Sequence, residues 1–148
     1  MIPITASFYQ HLQEEIIRLQ ADYTATLERL KVAREQGDLS ENGAYRYAKM
    51  ELGNLSRQLR ELHQVFNQAH IQEKTQTDCI AFGSIVELST NQKRVTYTLV
   101  SQFESDPRHY KISMESPLGR ALVHKRVGDI VLFHAPAGII TYTITAVH

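Results

Sequence analysis

The chain reads as an α+β protein, with an antiparallel coiled-coil helical hairpin followed by a small body of about five strands and one helix. Three observations predict this. Apolar residues recur at alternating steps of three and four across residues 12–69. Beyond residue 79 the pattern changes to short runs rich in Val, Ile, Thr, Tyr and Phe. Between the two helical patterns stands one polar stretch, Gly37-Asp38-Leu39-Ser40-Glu41-Asn42, with two carboxylates three positions apart.

The first helix follows Thr5, Ala6 and Ser7, which offer caps ahead of Phe8. Leu12, Ile16, Leu19, Tyr23, Thr26 or Leu27, Leu30 and Ala33 form its apolar seam. Gly37 is the natural end, since glycine tolerates the left-handed conformation past a helix C-terminus. The second seam is Tyr45, Ala48, Leu52, Leu55, Leu59, Leu62, Phe66 and Ala69. Spacing of this kind over about four heptads indicates coiled-coil packing. Each helix of roughly 30 residues would be about 45 Å long. The short connection makes them antiparallel, with residues 37–42 at the tip.

Residues 73–78 are polar and aperiodic and read as a linker between a hairpin over 1–72 and a body over 79–148. In the body, strands are expected at Ile80–Ser89, Val95–Phe103, Tyr110–Met114, Ile130–His134 and Ile139–Val147. Turns are expected at Asn91-Gln92, Asp106-Pro107 and Ala137-Gly138. Ser116 to Lys125 reads as one short helix with Ser116 capping and Pro117 at its first position. Five strands and a helix in this length predict a half-barrel wrapped on the helix.

Composition narrows the function. The 148 residues carry 16 Lys and Arg against 16 Asp and Glu, a formal net charge of zero. A free-standing, sequence-independent nucleic-acid binder is normally basic overall. The single cysteine, Cys79, allows no intramolecular disulfide and fits a reducing cytoplasm. Neither a signal peptide nor a run approaching the ~18 apolar residues of a membrane span is expected. The chain carries no Gly-rich phosphate loop, no Gly-x-Ser-x-Gly and no His-Glu-x-x-His. His63 and His70 lie seven apart, without a Cys or carboxylate nearby to complete a zinc set.

Asp38 and Glu41 admit two readings. In one they form a capping box, with Asp38 as N-cap of the second helix and Glu41 at its third position. In the other they face outward as oxygen donors to a hard cation such as magnesium, completing a site that another molecule supplies. Behind them Arg29, Lys31, Arg34, Arg46, Lys49, Arg57 and Arg60 outnumber Glu35, Asp38, Glu41 and Glu51, so the distal hairpin is locally positive behind an acidic point. Such a group either solvates a coiled-coil flank or attracts phosphates of a nucleic acid beside the tip.

The run from Ala33 to Asn42 (AREQGDLSEN), with Tyr45 after it, resembles the tip signature of the bacterial Gre transcript-cleavage factors, GreA and GreB. Ser116-Pro117-Leu118-Gly119-Arg120-Ala121-Leu122, then Lys125 and Val127-Gly128-Asp129, resembles the family's C-terminal domain, and Pro136-Ala137-Gly138 loosely matches its Pro-Gly-Gly turn. The resemblance spans nearly the whole chain.

The resemblance implies an FKBP-like second domain that docks at the rim of the RNA polymerase secondary channel. The coiled coil would pass down the channel to the 3′ end of backtracked nascent RNA, with DNA nearby and no membrane involved. Asp38 and Glu41 would help hold the second Mg2+ of the polymerase active centre, the chain binding no metal or cofactor alone. Leu39, Ser40, Asn42 and Tyr45 would shape the tip. Arg34, Arg46 and Lys49 would lie near the RNA, and Glu115, Ser116, Pro117 and Leu118 would contribute to docking. The factor would be a cytoplasmic accessory protein, the nuclease activity residing in the polymerase. The alternative is a Gre-like channel binder that regulates polymerase without promoting cleavage. One departure stands at Gly43-Ala44, where family members often carry a further acid.

Overall fold

A computed structural model describes residues 1–37 and 42–148. The architecture is α+β. The chain divides into two compact units, Tyr9–Ala69 on one side and Met1–Phe8 with His70–His148 on the other.

The first unit is helical. α1 spans Ala6–Glu35 and α2 spans Gly43–Gln68. The seam of α1 is buried at Leu12, Ile16, Leu19, Thr26, Leu30 and Ala33. Of the two candidates at the fifth step, Thr26 is fully buried and Leu27 is 44% exposed. The buried hydroxyl accepts a hydrogen bond from the Arg29 guanidinium at 2.9 Å, which satisfies the polar atom inside the seam. In α2 only Ala48 and Leu55 are fully buried, and Leu52, Leu59, Leu62 and Phe66 are half-covered. Two helices alone cover each other's seam from one side only.

The helices run antiparallel. Tyr9 stacks on Phe66 with ring centroids 5.0 Å apart, and Arg29 meets Glu51 at 2.9 Å. Gly37 has φ +117°, past the end of α1, as its position in the sequence predicts.

The second unit begins with a strand the periodicity did not reveal. β1 (Ile2–Ile4) pairs with β2 (Ala69–Ile71) in a two-stranded sheet, and the Gln72 N–H donates to the Ile4 carbonyl at 2.9 Å. Ile4 is fully buried. Thr5 then caps α1, its hydroxyl accepting from the Phe8 N–H at 3.2 Å. Both the Thr5 hydroxyl and its main-chain N–H donate to Glu104, a carboxylate only 6% exposed. These contacts place Met1–Phe8 with the second unit, where the sequence pattern had assigned them to the hairpin.

The main sheet has five strands in the order β5-β4-β3-β7-β6. They are β3 (Ile85–Ser89), β4 (Arg94–Val100), β5 (Lys111–Ser113), β6 (Ile130–Ala135) and β7 (Gly138–Val147). All pairings are antiparallel except β4 with β5. A register shift at Glu87/Leu88 adds local twist and curls the sheet into a half-barrel. Ile80, Val86, Leu88, Leu99, Leu122 and Ile144 lead the core it wraps.

The first body strand starts five residues later than the sequence pattern places it. Gly83 at φ +81° turns the chain, and its N–H reaches the Leu99 carbonyl at 2.8 Å. Ile80 and Phe82 still enter the interior, from the loop. The helix α3 (Pro117–Leu122) is shorter than the expected Ser116–Lys125. His124 adopts φ +68° and its N–H turns away to the Ile80 carbonyl at 2.9 Å.

The start of α3 is tightly constrained. Ser116 is its N-cap, accepting from the Gly119 N–H at 3.0 Å and donating its hydroxyl to the Ser113 carbonyl at 2.6 Å. That seats α3 so close to the end of β5 that a Cβ on Gly119 would lie 1.9 Å from the Ser113 oxygen. Gly119→Ala is therefore expected to destabilise the second unit by about 2–3 kcal/mol, at the upper end of overpacking costs, because backbone must move. Urea unfolding followed by tyrosine fluorescence checks this, and an unchanged midpoint would contradict it.

Candidate functional site

The candidate site is the bend of the hairpin. Asp38, Leu39, Ser40 and Glu41 lie outside the described residues, and Gly37 and Asn42 flank them. α1 closes with Gln36 N–H on the Ala33 carbonyl at 3.2 Å. α2 opens at Gly43 with Asn42 as N-cap, in extended backbone at φ −83°, ψ 97°. The Asn42 side-chain oxygen accepts from the Tyr45 N–H at 3.0 Å. Its amide nitrogen donates across the hairpin to the Ala33 carbonyl at 2.6 Å.

This corrects the capping-box reading. α2 starts four residues later than a box led by Asp38 requires, and Asn42 does the capping. The sequence signal was present, since Asn is among the best N-cap residues, but the Asp-x-x-Glu spacing drew the assignment to the wrong residue. Asn42 also does what a carboxylate could not. With an acceptor and a donor on one side chain, it satisfies an orphan N–H of α2 and adds a second donor to the Ala33 carbonyl in the last turn of α1.

The basic residues expected near the bend divide by role. Arg34, Arg46 and Lys49 are exposed. Lys49 holds its ammonium 6.0 Å from the Tyr45 ring centroid, so the half-buried Tyr45 supports a cation beside the tip. The Arg46 N–H completes the first turn on the Asn42 carbonyl at 3.1 Å. Arg29 is instead committed to Glu51 and Thr26. Among the described residues no group of three His, Cys, Asp or Glu side chains stands together as a metal site.

The second set of predicted residues lies in the other unit, around the start of α3. Glu115 and Pro117 are exposed there. Ser116 is half-buried in its cap, and Leu118 is 9% exposed and belongs to the core. The structure thus brings the four together but leaves only Glu115 and Pro117 as surface contacts. Residues the sequence reading missed are Glu104, which ties down Thr5, and Tyr47, 59% exposed on the first turns of α2. A carboxylate in a loop and a tyrosine just off the seam carry no periodic signal.

A helical hairpin with an acidic bend, joined to a curled sheet that carries a capped Ser-Pro helix, defines a two-unit factor that comparison with known proteins identifies. The family model for the N-terminal domain of transcription elongation factors matches residues 2–71, and that for the GreA/GreB C-terminal domain matches residues 74–148. The transcription elongation factor GreA of Thermosipho melanesiensis is 37% identical over 151 residues, covering 99% of this chain and 96% of that protein. GreA of Thermosipho africanus is 37% identical over 150 residues with the same coverage. Among solved structures, GreA factor homolog 1 of Thermus thermophilus is 26% identical, with 99% of this chain and 98% of that chain covered and a TM-score of 0.47. The chain belongs to the GreA/GreB family of transcription elongation factors.

The geometry of Asn42 is directly testable. Asn42→Ala should cost about 1–2 kcal/mol, from one cap and one interhelical hydrogen bond. Asn42→Asp keeps the cap but loses the donor to Ala33, and should fall between. Thermal unfolding followed at 222 nm ranks the three proteins; an Asp variant as stable as the unaltered protein would remove the clasp to α1.

Proposed function

We propose that this factor enters the secondary channel of RNA polymerase and stimulates the polymerase's own cleavage of 3′ RNA in backtracked complexes. Asp38 and Glu41 would help hold the second Mg2+ there. The observation that carries this reading is Asn42. Because it caps α2, neither tip carboxylate is needed as the N-cap of that helix. Magnesium takes oxygen donors and commonly only one or two carboxylates from one source, which is the donor set this pair would add to a site the polymerase supplies. Bound there, the ion would stabilise the reacting oxygens of phosphodiester hydrolysis.

The remaining residues support this reading by position. α1 has 30 residues, about 45 Å at the standard rise, enough for a small protein to reach a buried site. Arg34, Arg46 and Lys49 would attract RNA phosphates beside the tip. Glu115 and Pro117 would meet the rim of the channel, held in place by the Ser116 cap and the Leu118 anchor. The protein would act in the cytoplasm as an accessory factor, contributing side chains to an enzyme rather than carrying an active site.

The test is RNA cleavage in a defined backtracked elongation complex with magnesium. The unaltered factor should stimulate cleavage. Asp38→Asn and Glu41→Gln should each lose on the order of a hundredfold, the scale of one electrostatic contact to reacting oxygens, with circular dichroism unchanged. Full activity in both variants would overturn the metal-assisting role. A factor that binds polymerase yet never stimulates cleavage would instead be a channel-binding regulator.

Docking separates from folding in the same assay. Glu115→Ala with Pro117→Ala should raise the concentration for half-maximal competition at polymerase by about tenfold, at a stability cost of no more than about 1 kcal/mol from losing the proline. Leu118→Ala should act through stability, by about 2–5 kcal/mol.

A further inference from the structure

Close behind the bend, the hairpin carries a groove of about 390 Å³ that the functional reading above leaves unused. Its origin lies in the sequence. Ala33, the last seam position of α1, and Ala48, on the seam of α2, are both buried and both line the groove. Each offers only a methyl group where most other seam positions carry a larger side chain. Tyr47, 59% exposed, and Val32, 52% exposed, also line the groove.

The charges around the groove select its occupant. Arg29 lines it, but its guanidinium is held at 2.9 Å by both Glu51 and Thr26. Glu28 also lines it. A phosphate would therefore meet a neutralised cation and an added carboxylate. The exposed cations that suit phosphates, Lys31, Arg34 and Lys49, do not line the groove. What fits is a flat, uncharged, polarisable group with its charge held outside, which is the chemistry of a nucleobase on its sugar-phosphate. Single-stranded RNA bases are bound by stacking on aromatic rings and guanidinium planes, and Tyr47 and Arg29 supply one of each. Tyr47 also lies four residues into α2, about 6 Å along the helix from its first residue. A base there would belong to a nucleotide next to the bend.

We propose that Tyr47 is a positioning residue that stacks a base of the 3′ RNA in this groove, holding the strand beside the tip carboxylates. The proposal rests on the cleavage function above and names the part of the RNA this factor would grip. The experiment places 4-thiouridine near the RNA 3′ end of a backtracked complex and compares the unaltered factor with Tyr47→Phe, Tyr47→Leu and Tyr47→Ala. The photocrosslink should map to the peptide bearing Tyr47. Phe should keep crosslink and cleavage. Leu and Ala should lose the crosslink and need about tenfold more factor for half-maximal cleavage, the scale of one lost base stack. Circular dichroism and competition for polymerase should stay unchanged.

Leu performing like Phe would show that apolar filling suffices and would overturn the stacking. A crosslink that maps only to polymerase would give the groove to a polymerase side chain and overturn it equally. If the unaltered factor fails to stimulate cleavage, the cleavage reading falls, while the crosslink alone still decides whether a base occupies the groove.

Discussion

The hairpin depends on one side chain that belongs to both helices. Asn42 gives its oxygen to the first turn of α2 and its amide nitrogen to the last turn of α1. The two bonds fix where α2 starts relative to where α1 stops. With that register set, Arg29 can meet Glu51, and Tyr9 can lie on Phe66 far down the pair. A two-helix coiled coil has little core to hold its own alignment, since most of the α2 seam is only half-covered. Alignment must come from specific contacts, and the shortest of these is at the bend. The glycine at 37, in a left-handed conformation, lets the chain leave α1 within the few residues available.

In the second unit a comparable dependence centres on the Ser113 carbonyl. It accepts from both the N–H and the hydroxyl of Ser116, and the backbone of Gly119 passes close above it. The Ser-Pro-Leu-Gly sequence is thus first a packing device. Ser116 caps, Pro117 presets the first helical turn, Leu118 anchors in the core and Gly119 permits the close approach. Only after those demands are met do Glu115 and Pro117 remain at the surface. A motif that reads as an interface signature can owe half of its residues to the fold beneath the interface.

Much of this was legible in the sequence, for reasons that follow from repetition. Seam residues of α1 recur often enough for the three-four rhythm to place nearly every buried position, down to leaving open whether Thr26 or Leu27 faced inward. The rhythm could not decide between them, because the answer was the guanidinium of Arg29 bonded to the threonine hydroxyl. Five body strands and the capped helix were also readable, with ends displaced where Gly83 and His124 adopt positive φ. β1 and β2 have three residues each and adjoin the helices, and the seam rhythm claimed Ala69 for α2. Glu104 was silent because a buried carboxylate in a loop is recognised only once its partner, Thr5, is found across the fold. At the bend spacing alone favoured Asp38 over Asn42 as the cap, whereas Asn42 fills that role.

The arrangement at the bend bears on how a neutral chain can serve a nucleic-acid enzyme. With 16 basic and 16 acidic residues, long-range attraction to RNA is weak. Recognition in the proposed function must then come from where groups sit rather than from their sum. The distal hairpin separates three chemistries that would interfere if mixed. Oxygen donors stand at the bend in the sequence, exposed cations follow on the helix surfaces, and between the helices lies a small groove whose cation is already neutralised. Ala33 and Ala48 place small side chains on the seam close to the bend, and Asn42 ties the helices together just beyond them. With only methyl groups at these two positions, the distal hairpin has less hydrophobic contact to hold it and relies on a hydrogen-bonded clasp.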